Sequence, residues 1–244
     1  MRPVPPSARK TEKEFSMSIY AIGDLHLALG EPAKSMEVFP GWQRYMERLE
    51  ERWRALVAPE DTVVLAGDIS WAMGLEETEA DFRFLEGLPG RKLLMKGNHD
   101  FWWNTRAKVE GFLDRRGLRS LSMLHNNSVE AEGTALCGSR GWLFEGSEKY
   151  DPLVVAREAG RIRRPLEAAA PGLEKVLFLH YPPIYGEQVI PEFFDIMEEQ
   201  GVRECYYGHI HGPGAAGAFQ GEHRGVRLRL ISADFLHFVP LKIR

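Results

Sequence analysis

Five short segments carry the side chains able to do chemistry: Asp24 with His26, Asp68, Asn98 with His99 and Asp100, His180, and His209 with His211. Carboxylate, imidazole and amide oxygen are donors that divalent manganese, iron or zinc accept, and no thiolate, which would favour zinc alone, belongs to the set. Each segment follows a run that reads as a buried strand. Ser18–Ile22 precedes Gly23-Asp24-Leu25-His26, Thr62–Ala66 precedes Gly67-Asp68, and Arg91–Lys96 precedes Gly97-Asn98-His99-Asp100. Lys175–Leu179 precedes His180, and Arg203–Tyr207 precedes Gly208-His209-Ile210-His211. Open α/β sheets bind their ligands outside the carboxyl ends of the strands, so five strands deliver metal-type donors to one edge. Asp24 and His26 are two apart, as are His209 and His211, and an extended backbone turns every second side chain the same way. Both members of each pair are therefore expected to face one point. Glycine before Asp24, Asp68, Asn98 and His209 allows sharp turns and close backbone approach. One Gly-Asp after a strand is ordinarily a turn; five such segments in this order, each at a strand end, form a specific pattern.

The elements that position these residues alternate. A sixth strand is expected at Thr134–Cys137, bounded like the others by Gly or polar residues. Trp42, Tyr45, Met46, Leu49, Trp53 and Leu56 recur at helical spacing, with Arg44, Glu47, Arg48, Glu51 and Arg52 on the other face. Asp151 followed by Pro152 is a helix-start signal, after which Val155, Ala159, Ile162 and Leu166 form an apolar stripe. The arginines of that segment, Arg157, Arg161 and Arg164, read as a solvated face. Val226–Ser232 and Phe235–Ile243 read as two strands with no helix between them, which predicts antiparallel pairing. An α/β body finished by antiparallel strands requires more than one sheet.

Composition narrows the partners. The 244 residues are 44% hydrophobic and 27% charged, as in an ordinary folded domain. Residues 1–16, rich in Pro, Lys and Glu, read as a disordered leader before a single domain over 17–244, with Met17 an alternative start. The net charge is −4 and no block of five like charges occurs, so a bulk electrostatic grip on nucleic acid or anionic lipid is not expected. Any phosphate must be met locally. Cys137 and Cys205 form neither a disulfide framework nor a zinc cluster, which suits a reducing cytoplasm. The longest stretch without Asp, Glu, Lys or Arg, Cys205–Gly221, is full of Gly and His, so no membrane span is expected.

The ordered set Asp-x-His, Gly-Asp, Gly-Asn-His-Asp, a strand-end His and Gly-His-x-His, running from Asp24 to His211, resembles the calcineurin-like metallophosphoesterase superfamily. The resemblance implies an α/β (α+β) fold of two packed mixed β-sheets flanked by helices, a four-layer α/β/β/α sandwich, with a dinuclear metal centre at one edge. It implies that one metal takes Asp24, His26 and His211, that the other takes Asn98, His180 and His209, and that Asp68 bridges them. His99 would stay unligated and face the substrate.

Hydrolysing a phosphate ester near neutral pH needs a hydroxide, shielding of the phosphoryl oxygens, and a proton for the departing alkoxide. Two divalent ions roughly 3.5 to 4 Å apart, here manganese, iron or zinc, serve the first two needs through a bridging hydroxide. His99 is the candidate general acid, a role worth roughly 10² to 10⁴ in rate. Asp100, the other candidate catalytic residue, would organise the loop or a ligand rather than react; the plain alternative is a satisfied turn carboxylate. Arg140, in Gly138-Ser139-Arg140-Gly141-Trp142, is the candidate substrate-binding residue, its fork of donors suited to phosphate, with an ordinary surface arginine as the alternative. Protein Ser/Thr phosphatases of the superfamily carry an Asp three residues after the bridging one, then Arg-Gly. Here the run is Gly67-Asp68-Ile69-Ser70-Trp71-Ala72-Met73, and the missing relay partner argues against a protein phosphatase.

The expected protein is thus a metal-dependent phosphohydrolase acting on a small phosphomonoester or phosphodiester. A nuclease with the same centre is a second reading, which the net charge and the lack of a basic stripe do not favour. A non-catalytic scaffold of the same fold is a third, but it should have lost ligands, and none is missing. Gly212-Pro213-Gly214-Ala215-Ala216-Gly217 matches the dinucleotide fingerprint in letters only, since it opens no helix and holds a proline in the phosphate turn; a mobile loop is expected there. Phe101, Trp102 and Trp103 read as core and wall, and His125, His223 and His237 as surface or core histidines. Specificity is left to the loops Leu27–Pro40, Trp71–Thr78 and Gly141–Asp151.

Overall fold

A strand buried on both faces must be apolar at nearly every position, and the computed structural model, which describes residues 17–142 and 150–244, puts such strands at the centre of two sheets. In chain order the strands are β1 (Ile19–Ile22), β2 (Thr62–Leu65), β3 (Arg91–Leu94), β4 (Leu121–Met123), β5 (Asn127–Ala131), β6 (Thr134–Ser139) and β7 (Glu174–Leu179). They continue with β8 (Ile184–Tyr185), β9 (Gln188–Val189), β10 (Glu204–Tyr207), β11 (Gly221–His223), β12 (Val226–Leu230) and β13 (Leu241–Lys242). The helices are α1 (Tyr45–Leu56), α2 (Glu79–Glu86), α3 (Arg106–Arg116), α4 (Pro152–Glu167) and α5 (Pro191–Glu199).

One sheet has the order β13-β1-β2-β3-β4, parallel except for β13. The other has the order β11-β12-β10-β7-β6-β5, with its two edge strands antiparallel to their neighbours. Strand alternation sorts the apolar side chains into layers. Tyr20, Ile22, Val63 and Leu65 pack with Leu49 and Trp53 of α1, Phe82 of α2 and Phe112 of α3. Ile19, Ala21, Val64 and Leu93 point the other way and meet Leu136, Val176, Phe178 and Tyr206 of the second sheet. Cys137, Leu177, Leu179 and Tyr207 then pack with Val155 and Ile162 of α4 and Phe193 and Phe194 of α5. The result is the expected four-layer α/β/β/α sandwich. The predicted stripe of α4 is buried throughout, and Asp151 caps the helix by accepting from the Leu153 and Val154 amides. No helix among the described residues is long and apolar enough to cross a membrane. Both cysteines are buried and free.

The C-terminal pairing differs from the sequence expectation. β12 lies parallel to β10 and antiparallel to β11, not beside Phe235–Ile243. Residues 234–238 are turns, with φ of +52° at His237 and +63° at Phe238, conformations that no strand contains. Asp234 holds this reversal by accepting from the Phe235 amide, while Phe238 N–H donates to Ala233 O. Only Leu241–Lys242 is extended, and it crosses to β1 of the first sheet. Strands β4, β5, β8, β9 and β11 went unpredicted because they are too short, at two to five residues, to show a pattern; β5 is an edge strand with no fully buried position. The leader expected at residues 1–16, and residues 143–149 of the loop 141–151, lie outside the described residues.

Phe178 is fully buried between the sheets and stacks on Tyr206 at 5.5 Å. Phe178→Ala is expected to cost about 3–5 kcal/mol in urea unfolding; a loss under about 1 kcal/mol would mean that this layer is not packed as described.

Candidate metal centre

The pairing of β1 with β2 continues past the strand ends: Asp24 N–H donates to Gly67 O, His26 N–H to Asp68 O and Leu27 N–H to Ile69 O, each at 2.9 Å. The two loops that carry Asp24, His26 and Asp68 therefore run side by side. Their backbone is not extended, however. Asp24, His26, Asp68 and His209 have φ of +57°, +46°, +50° and +73°, so kinks into the left-handed region, not strand alternation, bring each pair together. Asp and His tolerate this region better than most residues, yet it still costs of order 1–3 kcal/mol at each position.

Hydrogen bonds and two glycines hold the kinks. Both Asp24 oxygens accept from the His209 N–H at 2.9 Å, and Asp68 Oδ1 accepts from the His99 N–H at 2.8 Å. A Cβ on Gly97 would stand 2.0 Å from Asp68 Oδ1, and one on Gly208 would stand 2.6 Å from Asp24 Oδ2. Asp100 is buried with both oxygens engaged. They accept from the backbone N–H groups of Gly97, Asp68, Ile69 and Ser70 and from the Trp102 indole. The carboxylate ties the β3 loop to the β2 loop.

All seven expected ligands converge. Asp24, His26, Asp68 and His211 offer donor atoms within 4.8 Å of one another, as do Asp68, His180 and His209. Asp68 belongs to both groups: its Oδ2 lies 3.8 Å from His26 Nε2 and 3.6 Å from His180 Nε2. His26 Nε2 and His211 Nε2 face each other at 3.0 Å. Asn98 Oδ1 stands 2.6 Å from His180 Nε2 and 3.0 Å from His209 Nδ1, joining the second group.

The donor set fits divalent cations. Asp68 Oδ2 is buried with no hydrogen-bond partner, although it sits among imidazole nitrogens from both sides. His180 Nδ1 lies 3.0 Å from Ala66 O, a contact that assigns the proton to Nδ1 and leaves Nε2 as a lone pair facing the Asn98 carbonyl. Two acceptors in that position call for a cation between them.

Burial pushes His26 well below the ordinary imidazole range, and it pushes His180 and His209 down to about 3. The same desolvation raises Asp68 and takes Asp24 up to about 7. For His211 burial acts downward but is outweighed by Asp24, Asp234 and Asp68, which together lift it to about 9.

Sequence reasoning missed Asp234. Its Oδ1 lies 3.5 Å from His211 Nδ1, and its Oδ2 accepts from the Gly212 N–H at 2.7 Å. A carboxylate behind a ligating imidazole orients the ring and raises its basicity, but Asp234 stood between two expected strands with no motif to mark it. Asp81, also buried, takes the Leu29 N–H and the Ser70 hydroxyl and so links the β1 and β2 loops. Trp71 occupies the place where a protein phosphatase has its aspartate; its ring stacks on His26 at 4.8 Å and lies 4.7 Å from His99.

The His99 ring is part-exposed at the rim, 5.9 Å from His26 and 6.1 Å from Phe101. Trp102 is core, while Phe101 is 55% exposed and helps line an apolar cavity with Met36, Val38, Phe39 and Trp71. Arg140 lies beside Trp142 and Tyr181, and its carbonyl accepts from the His180 and Tyr181 amides. His223 packs on Phe194, and His237 sits in the C-terminal turn. Gly212–Gly217 is a short 3-10 segment rather than an irregular loop, and it opens no α-helix.

The sequence model of the calcineurin-like phosphoesterase family matches residues 17–213, which include every ligand named above. Among solved structures, the protein of unknown function AQ665 from Aquifex aeolicus is similar over 93% of this chain and 95% of its own, with a TM-score of 0.52 and 15% identity. TT1561 of Thermus thermophilus is similar over 80% of this chain and 83% of its own, with a TM-score of 0.52 and 14% identity. At such identity the likeness is one of fold. No curated protein matches the chain.

Two predictions follow from this geometry. Gly97→Ala removes no ligand but drives a methyl into Asp68; elemental analysis should find metal binding reduced, and full occupancy would contradict the close approach. Asp24 and His211, at about 7 and about 9 in the metal-free protein, must lose protons to ligate. Metal affinity should therefore rise from pH 6 to pH 9 with proton release on titration calorimetry, and a pH-independent affinity would contradict it.

Proposed function

Because the chain belongs to the calcineurin-like phosphoesterase family, we propose that it hydrolyses phosphomonoesters or phosphodiesters at a pair of divalent cations, with His99 giving a proton to the leaving oxygen. The observation that carries this reading is the Asp68 carboxylate, shared by two groups of donors and left with one buried, unpartnered oxygen. Asp24, His26 and His211 would hold one cation, Asn98, His180 and His209 the other, with Asp68 between. Bound there, divalent manganese, iron or zinc would acidify a water and neutralise phosphoryl oxygens.

The chain's own groups do the rest. Ala66 O fixes the His180 ring and Asp234 the His211 ring, so that each presents Nε2 inward. Asp100 is a positioning residue that keeps the Asp68 and Asn98 loops in register. The His99 backbone is anchored to Asp68 Oδ1 while its ring, packed against Trp71, stands at the rim where a departing alkoxide would leave. With tryptophan in place of an aspartate three residues after Asp68, ring packing orients His99 instead of an ion pair, which favours a small ester over a phosphoprotein. Arg140, whose carbonyl accepts from the His180 N–H, would meet a phosphoryl oxygen with its guanidinium.

His99→Ala is expected to retain both metals and slow hydrolysis of a poor-leaving-group ester by roughly 10² to 10⁴. Asp68→Asn is expected to lose metal and activity together. An unchanged rate in His99→Ala would remove the proton-donor assignment, and full metal content in Asp68→Asn would remove the bridging one.

A further inference from the structure

A second cavity opens at the same edge of the sandwich. It measures about 310 Å³ and is lined by Lys96, His125, Asn126, Arg140, Glu158 and Arg161, at the small end of ligand-pocket sizes. Lys96 stands two residues before Asn98, which keeps their Cα atoms within about 7 Å. Arg140 follows β6 directly, and its carbonyl accepts the His180 N–H at 3.1 Å. Two of its lining residues are thus tied to the second group of metal-type donors, Lys96 through the chain to Asn98 and Arg140 through its hydrogen bond from His180.

Its charge is unbalanced. Three cations meet one carboxylate, and that carboxylate, Glu158, pairs with Arg161. Neither Lys96 nor Arg140 has an ion-pair partner among the described residues. Glu158 is 3% exposed, and its Oε2 has no hydrogen-bond partner. His125 in the wall is held neutral, pushed down to about 4 by burial and then by Lys96, Arg140 and Arg161. Cations crowded into a concave, partly desolvated space focus positive potential on whatever enters it, and Arg and Lys together supply the donors that phosphate oxygens accept. The arginines Arg157, Arg161 and Arg164 of α4 are exposed, as the sequence led one to expect, and Arg161 in addition lines this cavity.

Resting on the phosphoesterase reading above, we propose that the Lys96–Arg140–Arg161 cavity receives a second phosphoryl group of the substrate, so that the preferred substrates are esters carrying two phosphates. The scissile group would lie among the Asp68-centred donors and the second beside Lys96 and Arg161.

Binding of inorganic phosphate to chelator-treated, metal-free protein, followed by titration calorimetry, tests the site apart from catalysis. Lys96→Gln and Arg161→Gln should each weaken it roughly 10-fold or more, while Arg157→Gln, one turn earlier on α4 and not a lining residue of the cavity, should not. No phosphate binding, or equal binding in all variants, would overturn the site. With the metal-loaded enzyme, Arg161→Gln should raise KM for a two-phosphate ester roughly 10-fold more than for the one-phosphate ester of the same alcohol. An unchanged KM ratio would overturn the substrate assignment. Phosphate binding lost in Lys96→Gln and Arg161→Gln, in a protein that turns over no ester, would support the site and contradict the phosphoesterase reading instead.

Discussion

The structure is organised around a charge problem. Asp24, Asp68 and four imidazoles meet at one sheet edge, Asp24 and His180 with no exposed surface and Asp68 with 1%. Burying ionisable groups without countercharge is costly, and all but His211, which the neighbouring carboxylates lift, show it: the carboxylates are pushed up, and His26, His180 and His209 are pushed down. Divalent cations remove the conflict by pairing with ionised carboxylates and neutral rings at once. The rest of the fold keeps these groups converging in spite of their mutual repulsion. Two sheets each present parallel strand ends to the same edge, and a bridge between Gly23 and Ser232 joins the sheets there.

The backbone around the donors is held from several directions. Four donors sit in left-handed conformations, kept there by glycines that leave room for their carboxylates and by Asp100, which gathers four backbone amides from two loops. This is strain maintained by over-determination. It also explains why the chain carries supporting carboxylates such as Asp81 and Asp234, which orient the groups around them.

The donors were legible in the sequence because each is a polar residue directly after an apolar run, a contrast that single residues can carry. The layers were legible for the same reason: Ile19 and Ala21 against Tyr20 and Ile22 is a period-two pattern that assigns faces. The kinks were not, since Asp24-Leu25-His26 has the same spacing whether extended or left-handed, and only contacts with Gly67 and Gly208 decide between them. Asp234 was hidden because its partner, His211, is 23 residues away and a tertiary turn makes the contact. The final crossing of Leu241–Lys242 to β1 was hidden because a short polar strand pairs with whichever edge is open. The two flanks of the centre differ in a way composition conceals: the cavity beyond Trp71 and Phe101 is apolar, and the one beyond Lys96 and Arg140 is cationic.

Anomalous diffraction from crystals of the protein loaded with manganese or zinc tests most directly whether buried Asp68 is the shared anion of two cation sites. Two peaks per chain are predicted, one among Asp24, His26 and His211 and one among Asn98, His180 and His209, with Asp68 between them. A single peak away from Asp68, or none at full metal loading, would contradict the account.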